Sequence, residues 1–271
     1  MSIVIEKILS DDIAFSLDDY VTDRVLFNYI EGARQYETSQ FFSDHKHVII
    51  CRKENKDNVW IWTDSEIKDD KEAMISIANV VKDFATPNLQ FFTKPEIAQT
   101  FSDMYALLSC DLNYQVKSEY SLGAYKFTSK KLPQTDEVSV LKYNKKFSDE
   151  LYDFYMSLKD EFHWGDEKVK KMCDKYATLN TYLLLKNGDV KSVCVISDDD
   201  GDYSSIRSVA TKTDERNKGY ATILTNIASH NCEKGGSEKL MLYANNANLS
   251  AVSTFKKAGY ELVGNIHLIK S

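Results

Sequence analysis

The segment VATKTDERNKGYATILTNIA, residues 209–228, decides how this chain is read. It opens apolar, turns basic at Arg216 and Lys218 on either side of Asn217, and meets Gly219. Beyond the glycine, Ile223, Leu224, Ile227 and Ala228 repeat at the spacing of one helix face. The pattern predicts a strand ending near Thr211, a loop, and a helix from about Gly219 to a C-terminal cap at Gly235-Gly236. The first amides of a helix have no partner inside it and sum to roughly half a positive charge, so such an end holds phosphate where backbone can come close. Gly219 permits that approach, Ala221 keeps the next wall small, Thr222 adds a hydroxyl, and Arg216 and Lys218 supply charge. By itself the loop reads equally as a solvated basic turn whose glycine serves only the backbone.

Outward from this loop, EVSVLKY reads as a strand. Ser148 is placed to cap a helix with Asp149 and Glu150 in its first turn, Phe147 and Tyr152 at staple spacing, and a second helix follows over 166–177. TYLLLK and KSVCVIS flank Asn187-Gly188-Asp189, residues that tolerate the positive φ of a tight hairpin turn. YSSIRSVAT follows an acidic turn at DDDGD as a third strand. KLMLYAN has the look of a buried strand, a helix over 249–258 stops at Gly259, and YELVG and NIHLIK suggest a terminal hairpin. Strands and helices in this order make a mixed α/β (α+β) sheet with helices packed on it.

A second stretch, NANLSAVSTFKKAGY at 246–260, removes the ambiguity of the first. Arg216-x-x-Gly219-x-Ala221 after an apolar strand, followed about 30 residues on by Asn248, Ala251, Phe255, Gly259 and Tyr260, resembles the acyl-CoA signature of the GCN5-related N-acetyltransferase (GNAT) superfamily. Its pattern is R/Q-x-x-G-x-G/A, then N-x-x-A-x-x-x-Y-x-x-x-G-F. The resemblance covers about residues 136–271. It implies a mostly antiparallel central sheet flanked by helices and acetyl-CoA as co-substrate. Val209, Ala210 and Thr211 would splay from their neighbour and pair with the pantetheine arm. The amides of Asn217, Lys218, Gly219, Tyr220, Ala221 and Thr222 would cradle the pyrophosphate, with Arg216 and Lys218 neutralising it, while Asn248 and Phe255 complete the cofactor site. The acceptor would be an amine: an amino acid or polyamine, an amine-bearing antibiotic, or a protein N-terminus.

Acetyl transfer from a thioester to an amine needs a neutral amine, a stabilised oxyanion and a route for the thiolate. A backbone amide at Val209 or Ala210 can serve the oxyanion. Family members often carry a Tyr where this chain has Phe255, and a phenyl ring cannot protonate a thiolate. Tyr243 in the KLMLYAN strand is the substitute acid that the sequence offers. Glu161 and His163, in KDEFHWGDE, are the candidate bases, and deprotonation through water would need neither. Two other readings compete: an acyl-CoA-binding protein without turnover, and general phosphate or nucleotide binding by the loop. Against the latter, the G-x-x-x-x-G-K-[ST] spacing is absent.

The polar stretch FTSKKLPQTDEVSV, containing Pro133, separates two halves, 1–132 and 133–271. In the first, HVIICR and NVWIWT read as paired strands. Met74, Ile77, Ala78, Val81 and Phe84 mark a helix, NLQFFT a strand, and a second helix begins after Pro95. This order repeats that of the C-terminal half and suggests a degenerate GNAT-like copy, although an unrelated α+β domain fits the pattern as well. Its corresponding loop, TDSEIKDDKEA, has no glycine and several carboxylates, so one cofactor site is expected. A net charge of -7 disfavours nucleic acid and anionic membranes as partners. No stretch has the apolar length of a span or secretory signal, which points to the cytoplasm, as a monomer or homodimer. The five cysteines, 51, 110, 173, 194 and 232, lack metal-ligand spacing and read as reduced thiols, so no metal is expected.

Overall fold

The computed structural model describes residues 3–12, 20, 23–53, 56–84, 88–109, 118–135, 137–200, 203–237 and 239–270. The chain packs as two compact units, one of residues 1–124, 245–247 and 263–271, the other of 125–244 and 248–262. The last residues of the chain belong to the first unit.

The first unit begins with β1 (Glu6–Ile8), α1 (Asn28–Ala33), β2 (Ser39–Ser43), β3 (Val48–Lys53) and β4 (Asn58–Thr63). These strands pair antiparallel in sequence order. Helix α2 (Lys71–Lys82) then carries the chain to β5 (Gln90–Thr93), which lies parallel to β4, and α3 (Pro95–Leu108) follows with proline in its first turn, where the missing N–H has no intrahelical role. Val48, Ile50, Val59 and Ile61, every second residue of β3 and β4, meet the stripe Ala73, Met74, Ile77, Ala78 and Val81 of α2 in one core. β6 (Ser118–Phe127) starts in this unit and ends in the other.

The second unit runs β7 (Ser139–Lys142), a 3₁₀ turn (Lys145–Phe147), α4 (Ser148–Met156), α5 (Asp166–Tyr176), β8 (Asn180–Lys186), β9 (Asp189–Asp200), β10 (Tyr203–Thr211), α6 (Tyr220–Lys234), β11 (Lys239–Asn245), α7 (Leu249–Lys257) and the start of β12 (Tyr260–Lys270). Its strands stand in the order β11-β10-β9-β8-β7, antiparallel except for the β10/β11 pair. Leu184, Cys194, Ile196 and Leu240 pack with Leu224 and Ala228 of α6, while Leu183, Val193 and Val195 pack with Leu151, Phe154 and Val169 of α4 and α5. Alternate strand residues therefore serve two opposite faces, and helices cover both. The mixed, mostly antiparallel sheet flanked by helices is the architecture expected. Asn187 and Gly188 take φ of 54° and 85° in the β8/β9 turn, as their identities require.

Two expectations change. Ser148 is not a cap: Phe147 holds that position, and the Ser148 hydroxyl donates back to Lys145 O (2.7 Å), so it serves the 3₁₀ turn instead. That turn is capped by Asn144, which accepts from Lys146 N. The terminal hairpin is one strand, β12, because Gly264 does not turn. A Cβ there would sit 3.3 Å from Leu26, and from His267 onward the strand pairs antiparallel with β5. The DDDGD turn falls at residues 201–202, outside the described residues, as does Cys110. The other four cysteines are free and buried, and burial pushes the thiols up, Cys173 to about 11, which suits inert core thiols rather than nucleophiles. Among the described residues no helix is long and apolar enough to cross a membrane.

Candidate functional site

The second unit opens a cleft of about 1060 Å³ between β10, the loop after it, the start of α6 and one face of α7. Strand pairing makes it. β10 and β11 run parallel only over Tyr203–Ser205 against Lys239–Met241, then part. A bulge at Arg207 marks the divergence, where the register against β9 shifts between Ile206 and Ser208. Beyond it β10 keeps pairing with β9 through Thr211. Lys212 N donates to Lys191 O (3.1 Å) and Ala210 O accepts from the Ser192 hydroxyl (2.7 Å), so the even-numbered residues turn their backbone groups toward β9. By alternation Val209 and Thr211 turn theirs to the open edge. Thr211 O is taken by Arg216 Nε (3.3 Å); the amide and carbonyl of Val209 face the gap.

The loop delivers a helix start with free amides. Asn217 (φ 64°) and Gly219 (φ 80°) both lie in the left-handed region, which turns the chain sharply into α6. Ile223 N is the first to bond back, to Gly219 O (3.0 Å), and no side chain caps the helix. The amides of Tyr220, Ala221 and Thr222 thus precede the helical ladder. On the opposite wall Asn248 caps α7, its Oδ1 accepting from Ala251 N (3.1 Å), and Ser250, Ala251, Thr254 and Phe255 line the cleft.

Of the cofactor residues expected from sequence, Val209, Ala210, Thr211, Arg216, Asn217, Gly219, Tyr220, Ala221, Thr222, Asn248 and Phe255 line this one cleft. Lys218 does not: its ammonium is held by Glu215 (2.6 Å), and the residue lines a smaller pocket beyond Tyr220. Of the catalytic candidates only Glu161 reaches the cleft. Its Oε2 accepts from Arg216 Nη2 (2.8 Å) and from the Thr213 hydroxyl (2.9 Å), and these partners, Arg216 first, hold its carboxyl below the usual range. A carboxylate so engaged is a weakened base. His163 is exposed in a left-handed turn (φ 53°), and Tyr243 is half-buried on β11; neither lines the cleft.

Sequence reasoning missed Thr213 and Glu215, the loop's own anchors. Glu215 bridges Lys218 and Lys191 (3.0 Å), a pairing across 24 residues that no local pattern announces. It also missed a cluster in the first unit, where His47 Nδ1 is hydrogen-bonded to Asp64 Oδ2 and Glu66 Oε2 lies 3.8 Å from the same nitrogen. There the imidazole meets the carboxylate directly and closes the end of the β3/β4 hairpin.

Residues 147–260 match the family model described as Acetyltransferase (GNAT) family. No curated protein matches the sequence. Among solved structures, a Drosophila protein aligns with a TM-score of 0.67 at 10% identity, covering 99% of this chain and 98% of its own. A GCN5-related N-acetyltransferase from Sphaerobacter thermophilus aligns with a TM-score of 0.61 at 10% identity, over 99% and 95%. A tandem GNAT protein from the clavulanic acid biosynthesis pathway aligns with a TM-score of 0.52 at 6% identity, over 99% and 98%. At such identities the likeness is one of fold, and it extends over both units.

Proposed function

We propose, from the match of residues 147–260 to the acetyltransferase (GNAT) family model, that the second unit binds acetyl-CoA in its cleft and transfers the acetyl group to a primary amine of a small molecule or peptide. One observation carries this reading: β10 and β11 part beside an uncapped helix start. The parted edge offers Val209 to the amides of pantetheine, and the helix start offers three amides and Arg216 to the pyrophosphate. The acceptor nitrogen attacks the thioester carbonyl carbon, the oxygen takes up negative charge, the C–S bond breaks and the thiolate leaves. The Val209 N–H faces the gap in which that oxygen would develop.

Proton handling is lighter than in the family pattern. Phe255 supplies no proton, so either Tyr243 on β11 supplies it or the thiolate leaves unassisted. A thiol with a pKa of about 8.5 tolerates the second route, and a positioned acid is worth about 10² to 10⁴ in rate. With Glu161 engaged and His163 outside the cleft, water is the simplest carrier of the amine proton. The protein acts in the cytoplasm, without a metal, as a monomer or homodimer. Phe255 also favours a second reading, an acyl-CoA-binding protein without turnover. Both readings expect acetyl-CoA to raise the melting temperature. Thiol release from acetyl-CoA with amino acids, polyamines, amine-bearing antibiotics and peptide N-termini separates them: release with any amine supports the transferase, and tight binding with none supports the second.

A further inference from the structure

We infer that Thr254 is the catalytic residue for the departing thiol: its hydroxyl hydrogen-bonds the thiolate as the C–S bond breaks, a route that transfers no proton from the protein. The inference rests on the proposed acyl-CoA site and on acyl transfer there. The hydroxyl-bearing residues that line the cleft are Thr211, Tyr220, Thr222, Ser250, Ser253 and Thr254. Thr211 Oγ1 is paired with Ser192 Oγ (2.9 Å) across the β9/β10 ladder. Tyr220 is buried and also walls the smaller pocket, and Thr222 sits in the first turn of α6, at the amides proposed for the pyrophosphate. The other three belong to α7, the wall opposite β10. Ser250 and Ser253 are exposed, whereas Thr254 is half-buried beside Phe255.

A Ser or Thr hydroxyl within a helix has a ready acceptor in the carbonyl one turn back. Ser229 uses it in α6, donating to Thr225 O (2.7 Å), and Ser76 uses it in α2, donating to Glu72 O (3.1 Å). Thr254 does not: its backbone carbonyl accepts from Ala258 N (2.9 Å) as the helix requires, but among the described residues no hydrogen bond engages its hydroxyl. A donor is thus left for the cleft. Phe255 has none to offer, and its ring also packs on the core, edge-on to Tyr260 at 6.3 Å and 66°. A thioester whose oxygen rests on the Val209 N–H has β10 behind it and α7 before it, so its sulfur leaves toward the α7 wall. The amine nitrogen bonds to the carbonyl carbon and the C–S electron pair passes to sulfur. Thr254 donates a hydrogen bond to that sulfur and keeps its proton, since an alcohol is too weak an acid to protonate a thiolate. Water takes the amine proton and returns one to the freed thiolate.

The test compares the wild type with Thr254→Val, which keeps the shape and loses the donor, and with Thr254→Ser, which keeps the donor. The readouts are CoA titration and initial rates of thiol release from acetyl-CoA with an amine that the wild type accepts. Removing one donor from a developing oxyanion costs about 10² to 10³ in rate, and sulfur is a weaker acceptor than oxygen, so kcat of the Val variant should fall about 10- to 100-fold. Because the bond forms only as sulfur takes up charge, CoA affinity should stay within about twofold of the wild type, and Thr254→Ser should recover most of the rate. A Val variant as fast as the wild type overturns the role of Thr254 and leaves transfer standing. So does a loss of CoA affinity as large as the loss of rate, which would make Thr254 a binding contact alone. A wild type that binds CoA and releases no thiol with any amine overturns both.

Discussion

The two units build the same sequence of elements, strand, loop, helix, strand, helix, and finish it in opposite ways. In the first, β4 and β5 stay paired through Ile61 and Thr93, the last residue of β5, and Trp60 stacks flat on Phe92 across the pair, 4.4 Å between centroids at 4°. The helix that follows is capped: Asp70 accepts from Glu72 N (3.0 Å) and Ala73 N (3.1 Å). In the second, β10 and β11 part after Ser205 and Met241, and Gly219 leaves the α6 amides bare. The cleft proposed for the cofactor is thus no property of the shared order of elements. It pairs a parted strand edge with an uncapped helix, whereas at the corresponding place of the first unit β4 and β5 stay paired and α2 is capped.

The sharpest way to break that contrast is to close the open helix. Gly219→Asp puts a carboxylate where the pyrophosphate would bind, on a backbone at φ 80°. An added Cβ there meets nothing within 4 Å, so the fold should persist at a strain of about 1–2 kcal/mol. CoA affinity should fall at least 100-fold in calorimetric titration while the circular dichroism spectrum is unchanged. Undiminished affinity would mean that the cofactor lies elsewhere. The strand edge is tested by Val209→Pro, which deletes the amide facing the gap without removing a β9/β10 ladder bond. If that amide holds the oxyanion, kcat should drop by about 10² to 10³ with a much smaller change in CoA affinity. Loss confined to CoA binding would assign Val209 to the pantetheine arm alone.

Opening the closed helix tests the converse. Asp70→Ala should cost about 1 kcal/mol in urea unfolding, the usual worth of an N-cap, and should leave one CoA per chain, since β4 and β5 remain paired. A second equivalent of bound CoA would show that capping alone distinguishes the units.

What could be read from sequence follows the same division between local and distant causes. The helices α2 and α3, the β8/β9 turn and the α6 start were legible because apolar period, Asn187-Gly188 and Gly219 act within a few residues of themselves. Asn248 was legible as a wall of the site, and its structural reason is equally local, a cap on Ala251. The strand β12 was not: it runs on through Gly264 to pair, from His267, with β5 more than 170 positions earlier, a partner that no local pattern announces. Glu161 was read as a base from its neighbourhood in KDEFHWGDE. Its partner Arg216 lies 55 residues away, and that partner changes its chemistry.

The smallest expected effect concerns the carboxylates of the two loops. In the open loop Glu161 and Glu215 hold cations, and their carboxyls lie below the ordinary value, Glu161 through Arg216 and then Thr213, Glu215 through Lys218 and then Lys191. A carboxyl depressed in the folded state contributes stability that is present above its unfolded pKa, about 4.3, and lost as pH falls through the folded one. Melting temperature should therefore decline from just above pH 4 downward, and Glu215→Gln should flatten part of that decline. Both groups are solvent-screened, so the contribution should shrink in high salt. An acid-side decline of the same steepness in wild type and Glu215→Gln would mean that this carboxylate, held by Lys218 and Lys191, carries no part of it.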